Sequence, residues 1–177
     1  MTTTQADRAT FTLRSAAPDD CEALVRLIGA LAEYEKLTHL MQATPEALRA
    51  VLFGPRPYGE AVVAEVDGRA VGFALFFHNV STFLCKPGLY LEDLFVEPAW
   101  RGHGIGKALL MHVARLARER DCGRFEWSVL DWNAPSIAFY EAMGADVLPD
   151  WRICRTTGDA LARMAALPMP EGLTAPD

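Results

Sequence analysis

The chain has 177 residues, a length that suits one domain burying about 70% of its extended-chain surface. At 51% hydrophobic and 23% charged it has the composition of an ordinary globular protein. A formal net charge of −6 argues against nucleic acid as a partner, and the longest apolar run, Ala70 to Phe77, is far too short to cross a bilayer. The four cysteines, Cys21, Cys85, Cys122 and Cys154, form no C-x-x-C pair, and no histidine stands at metal-ligand spacing beside them. They read as reduced thiols, and no metal is expected. The N-terminus is polar and lacks a signal-peptide core, so a cytoplasmic protein is expected.

In chain order, residues 1–9 read as a flexible tail and Phe11–Arg14 as a first strand. Pro18, Asp19 and Asp20 mark a helix start, with acids where the helix dipole favours them and Leu24, Leu27, Ile28 and Leu31 as the apolar stripe. Glu33 to Lys36 close that helix. Thr44-Pro45-Glu46 starts a second helix, Thr44 as cap and Pro45 at its first position, reaching Phe53 before Gly54-Pro55 breaks it. Ala61–Val66 and Ala70–Phe77 are strands around Asp67-Gly68, a strong hairpin signal. Val80–Gly88 reads as a loop.

Leu89 to Val96 is then an apolar, β-prone strand interrupted by two adjacent acids, Glu92 and Asp93, which strict alternation places on opposite faces. Pro98 ends it. Ile105, Leu109, Val113 and Leu116 have helical spacing, in a helix that closes near Asp121 to Gly123. Arg124–Leu130 is a further strand, and Asp131–Ser136 leads into a short helix ended by Gly144. Val147–Arg155 reads as a last strand, Asp159–Ala166 as a terminal helix, and the Pro-rich end from Pro168 as disordered. The result is one α/β domain with a mixed central sheet flanked by helices, core about residues 10–166.

The segment Arg101-Gly102-His103-Gly104-Ile105-Gly106-Lys107 joins that strand to a helix start. Glycines there allow a tight turn, and a helix N-terminus offers N–H groups and a positive dipole end to an anion. The spacing is wrong for a Walker loop, and Ala108 supplies no magnesium-binding hydroxyl. A dinucleotide fingerprint needs a small residue where Lys107 stands. Arg-x-x-Gly-x-Gly, read at Arg101, Gly104 and Gly106, resembles the pyrophosphate loop of the Gcn5-related N-acetyltransferase (GNAT) superfamily. Three further stretches resemble its diamine acetyltransferases, the spermidine/spermine and thialysine enzymes. These are Leu31 to Leu37, Tyr90 to Val96, and Leu130-Asp131-Trp132-Asn133 with Phe139-Tyr140.

The resemblance implies splayed strands that form an acetyl-CoA cleft. It implies that Leu94, Phe95 and Val96 pair through their backbone with the pantetheine arm, that residues 101–107 hold the pyrophosphate, and that Asn133 and Ser136 contact the arm. A small-molecule amine is the implied acceptor, no membrane or nucleic acid is involved, and a homodimer is implied by analogy.

Acetyl transfer to an amine has two proton problems. An alkylamine of pKa ~10.4 is only about 0.04% neutral at pH 7, roughly 4.6 kcal/mol of barrier, and the departing thiolate, pKa ~8.5, needs a proton. A tyrosine near pKa ~10 can supply the second proton. By resemblance Tyr140 is that acid and Glu92 the base, acting directly or through water. Tyr34 and Glu35 match positions that contact the amine, and Glu126, Trp127 and Ser128 match positions lining its cavity. Polyamine-specific relatives carry an acid with a tryptophan in the loop that here reads Val80-Ser81-Thr82-Phe83. Its absence favours a thialysine- or lysine-like amino acid or short diamine over long polyamines. A protein N-terminal or lysine acetyltransferase and a non-catalytic acyl-CoA sensor are the rival readings.

Overall fold

The structure is a computed structural model that describes residues 10–169. The tail expected over residues 1–9 and residues 170–177 of the Pro-rich end lie outside the described residues. The chain resolves into two compact units, divided between Ser128 and Val129.

The first unit holds β1 (Thr12–Ser15), α1 (Cys21–Tyr34), α2 (Pro45–Phe53), β2 (Glu60–Val66), β3 (Arg69–Ser81), β4 (Lys86–Val96), α3 (Ile105–Glu119) and β5 (Arg124–Trp127). The strands lie in sequence order in one sheet. The first four are antiparallel neighbours, and β5 joins β4 in parallel. This is the mixed sheet with flanking helices that the sequence implies. Asp67 and Gly68 turn the β2–β3 hairpin with φ of 49° and 77°, as a two-residue turn matching strand twist requires. The Thr44 hydroxyl caps α2 by accepting the Ala47 N–H at 3.2 Å.

Cross-strand partners share a face, so the ladder sorts the core into two layers. Phe73, paired with Val63 and Phe95, packs with Leu24 and Leu27 of α1 and Leu48 and Leu52 of α2. Phe76, paired with Leu91, points to the other face, which α3 covers; the Arg120 guanidinium sits 6.0 Å from the Phe76 ring. Arg14 fastens the start of α1 to the sheet by donating to Asp20 and Glu65. Glu97, just past β4, accepts from both Arg26 of α1 and Arg69 of β3.

Three expectations are corrected. Most of the loop expected over Val80–Gly88 is ladder: Asn79, Val80 and Ser81 face Gly88, Pro87 and Lys86, leaving a turn at Thr82–Cys85. A proline near a strand's beginning loses only its donor. The Pro87 carbonyl still accepts the Gly123 N–H at 2.8 Å. The second correction lies in the second unit, which contains α4 (Ala134–Ala142) and α5 (Gly158–Ala165). The strand expected over Val147–Arg155 does not form, and Val147, Leu148, Trp151 and Ile153 are exposed. Pro149 removes a ladder donor in the middle of that stretch, and apolar content alone does not make a strand without a paired edge. β5 likewise stops at Trp127, three residues short of the expected Leu130.

Candidate active site

β4 is paired unequally along its two edges. Its β3 edge is laddered from Lys86 to Val96. Its β5 edge is laddered only from Gly88 to Leu91, the last pair being Leu91 with Trp127. From Glu92 onward that second edge has no strand partner among the described residues. The two strands part where β4 carries a bulge: Phe76 faces Leu91 and Leu75 faces Asp93, so Glu92 is the extra residue.

The bulge resets which way the following side chains point. Asp93 pairs with Leu75 and so shares a face with Tyr90, Phe77 and Phe95, the face covered by α1. Simple alternation from Tyr90 would have put Glu92 there instead. Glu92 is exposed and Asp93 half-buried. Burial, then the neighbouring charges of Glu92 and Glu35, push the Asp93 carboxyl up from 3.8 to about 7. Glu35, which follows the last turn of α1, is also raised by burial. Sequence reasoning gave the base role to Glu92 and none to Asp93. The signal that could have found it is the pair of adjacent acids in an otherwise apolar strand, one of which must be buried or bulged out.

Tyr34 packs against the α1-side core, and the Arg101 guanidinium lies over its ring, 4.7 Å from the centroid. The three residues expected to line one cavity from β5 divide between faces. Glu126 pairs with Tyr90, and the Tyr90 and Ser128 hydroxyls meet at 2.8 Å, whereas Trp127 pairs with Leu91 and stacks against Phe125, ring centroids 4.9 Å apart. The Glu126 carboxylate is already engaged, accepting from Asn79 at 2.6 Å and facing Arg124 at 3.1 Å. Val80 and Phe83, in the stretch without an acid, are exposed at the β3–β4 hairpin tip.

Beyond Val96 the chain turns through Arg101–Gly104 into α3. Gly102 and Gly104 have φ of 79° and 85°, a region L side chains reach only with strain, and open space surrounds both Cα atoms. Backbone conformation, not crowding, requires glycine there. Gly104 is the N-cap of α3 and offers no side-chain oxygen, so the first-turn N–H groups of Ile105, Gly106 and Lys107 are uncapped by any side chain. His103 Nδ1 lies 3.0 Å from the Arg101 carbonyl, which makes it a brace of the loop. Leu94, Phe95 and Val96 end the strand that leads into this loop, so an unpaired amide edge runs directly toward an uncapped helix start.

In the second unit, the buried Asn133 side chain accepts the Ser136 N–H at 3.4 Å and caps α4. Tyr140 lies in the same helix, half-buried, its ring 5.3 Å from that of Phe139.

An unpaired strand edge ending at a glycine-capped helix fits a long ligand with amide groups at one part and anionic groups at another. Residues 25–145 match the Acetyltransferase (GNAT) family, and the chain belongs to that family of acyltransferases, whose members use acetyl-CoA. The thialysine N-epsilon-acetyltransferase of Bos taurus is 37% identical over 164 residues, covering 86% of this chain and 96% of the relative. The L-ornithine N5-acetyltransferase of Arabidopsis thaliana is 36% identical over 194 residues, covering 84% and 85%. Among solved structures, an integron cassette protein from the mobile metagenome of V. cholerae superposes with a TM-score of 0.76 at 24% identity, covering 89% of this chain and 98% of that one, which shows the shared fold.

Two predictions follow from the geometry. A Cβ at Gly106 would meet only Val96 Cγ2, at an ordinary 3.8 Å, so the unliganded fold has no need of glycine there. Gly106→Ala should raise the thermal midpoint by about 1–4 °C, the effect of roughly 0.5–1 kcal/mol of helix preference; a clear fall would mean the fold itself requires the glycine. The second concerns Asp93. Its folded pKa, about 7, lies above its ordinary 3.8, so between these values the folded chain binds more protons than the unfolded one. Asp93 therefore stabilises least above pH 7, and stability contributed through it falls as pH rises from about 4 through about 7. Asp93→Asn should flatten that slope and raise the thermal midpoint at pH 8 more than at pH 5. Equal shifts at both pH values would remove Asp93 as the titrating group.

Proposed function

We infer that the chain is a single-domain, acetyl-CoA-dependent N-acetyltransferase acting on a primary amine of a small cationic substrate, with thialysine- or ornithine-like amino acids or short diamines as acceptors. The observation that carries this is the unpaired β4 edge from Glu92 to Val96 running into the uncapped start of α3. The names of the relatives at 36% and 37% identity support the acceptor class. When bound, acetyl-CoA supplies the acetyl group on a thioester.

The chain's residues then divide the work. The backbone of Leu94, Phe95 and Val96 offers amide groups to the pantetheine arm, with Asn133 and Ser136 as further contacts. The backbone of residues 101–107 cradles the pyrophosphate, and Gly106 lets it approach. Tyr34, Glu35, Glu126 and Ser128 form the acceptor side; Trp127, expected there from the sequence, pairs with Leu91 on the other face. Glu92 takes the amine's proton, directly or through water, so that the amine nitrogen can bond to the acetyl carbon as the carbon–sulfur bond breaks. Tyr140 gives its hydroxyl proton to the leaving sulfur. Asp93 is a second candidate acceptor of the amine's proton, favoured by a carboxyl that is half-ionised near neutral pH. No metal takes part in this scheme. We further infer a cytoplasmic homodimer without nucleic-acid or membrane partners. No helix among the described residues is long and apolar enough to cross a membrane.

The direct test is release of free thiol from acetyl-CoA across a panel of amines, amino acids and peptides. Thialysine, ornithine or a short diamine should exceed spermine in kcat/KM, and faster turnover of peptides than of every small amine would replace the acceptor class. Gly106→Ala should weaken acetyl-CoA binding at least tenfold by calorimetry despite its better helix, because the added methyl occupies the approach to the phosphates. In the same assay Tyr140→Phe should lower kcat by about 10²–10⁴-fold with little change in the acetyl-CoA KM. A phenylalanine variant within twofold of the parent would pass the acid role to water or another group.

A further inference from the structure

Arg101 opens the glycine loop, but its side chain does not reach forward along it. Nε donates to the Val96 carbonyl at 2.9 Å, five residues back. The guanidinium carbon lies 4.7 Å from the Tyr34 ring centroid and 5.5 Å from that of Phe95. Phe95 and Tyr34 belong to the α1-side core, whereas Gly106 of α3 abuts Val96 Cγ2, and Val96 pairs with Gly72 on the opposite face. The guanidinium and the first turn of α3 thus lie on opposite sides of the sheet. No carboxylate among the described residues pairs with Arg101.

We propose that Arg101 is a positioning residue that ties the acetyl-CoA loop to the acceptor end of α1. One side chain grips the last β4 carbonyl before the loop, a buried aromatic ring of β4, and the Tyr34 ring next to Glu35. A bent loop and a correctly placed Tyr34–Glu35 pair are therefore the same conformation. The guanidinium fork is needed for this because Nε must hold the carbonyl while the planar face covers the rings, which an ammonium cannot do. Cation–π contacts of this kind correspond to about 2- to 30-fold in an equilibrium constant. Arg101 then sets affinity for the amine, not for the phosphates. This rests on the acetyltransferase reading above for its substrates, though the contact itself does not.

The experiment is a double-mutant cycle with three readouts. Arg101→Ala, Arg101→Lys, Tyr34→Ala, Tyr34→Phe and the pairwise combinations are assayed for amine KM with thialysine and for acetyl-CoA Kd by calorimetry, and each is melted thermally. Arg101→Ala should raise the amine KM about tenfold while the acetyl-CoA Kd stays within about threefold, and Arg101→Lys should not rescue it. The effect should vanish in the Tyr34→Ala background and persist with Tyr34→Phe, which keeps the ring. A tenfold loss of acetyl-CoA affinity with unchanged amine KM would make Arg101 a phosphate ligand and overturn the proposal. Additive thermal shifts for Arg101→Ala and Tyr34→Ala would overturn it as well, and they are read without substrate. Absence of thiol release by the parent protein with any amine would instead defeat the functional reading, leaving the thermal cycle to decide the Arg101–Tyr34 tie.

Discussion

The site depends on a strand inside a sheet that is laddered along the whole of one edge and only a short stretch of the other. β3 holds β4 from end to end, while β5 leaves it after Leu91. Backbone N–H and C=O groups left without partners are costly when kept from water, and an open edge invites another chain. This sheet does not hide the edge with a charged or bulged-out run along its whole length. It places one bulge, at Glu92, where the strands separate. The bulge strengthens local twist and ends the pairing with β5. It also keeps the β3 pairing intact beyond that point, so the unpaired edge is held rigidly by the edge behind it.

The same bulge explains why acids in an apolar strand are tolerated. Without it, one of Glu92 and Asp93 would enter the α3-side core, beside residues as fully buried as Phe76 and Leu109. With it, Glu92 stays in solvent and Asp93 turns to the α1 side, within range of the Glu35 charge. Burial, then the repulsion of the Glu92 and Glu35 charges, raises the proton affinity of Asp93. A cation or a bound proton relieves the repulsion. The chain thus holds a patch whose own electrostatics favour positive charge, although most of its surface acids are solvated or paired with arginine as Glu60, Glu65 and Glu97 are.

What was legible in the sequence was local. The start of α3, the glycine loop, the Asp67-Gly68 turn and the cap of α2 each follow from a few adjacent residues, and all formed. What was not legible was register. No spacing along Leu89–Val96 reveals that Glu92 is the extra residue, because a bulge is defined by the partner strand. The ladder through Pro87 was hidden for the same reason: proline signals a break unless one knows which of its backbone groups the neighbour needs. Val147–Arg155 failed in the opposite direction, since Val147, Leu148, Trp151 and Ile153 have strand-like composition without a paired edge. Arg101 is the residue that opens the glycine loop in sequence, but whether its guanidinium folds forward or back depends on the rings it meets, Tyr34 and Phe95, one of which lies 67 residues earlier in the chain.

Departures from local rules gather between Glu92 and Gly106. An unpaired edge, a half-buried acid, a helix whose N-cap has no side chain, two glycines at positive φ and a third that lowers helix stability all fall within fifteen consecutive residues. Elsewhere in the first unit departures are scattered singly, as at Lys36, Cys85 and Asp121 with positive φ and at the β2 register shift between Ala64 and Glu65, while Thr44 caps α2 and Arg14 bridges two acids. Such clustering marks function better than any one departure, since each alone also occurs in structural roles. The departures share a remedy: amide groups satisfy the edge, an anion satisfies the helix start, and a cation satisfies the acids. A ligand that remedies them binds the folded chain and not the unfolded one, so part of what these departures cost in stability returns as binding free energy.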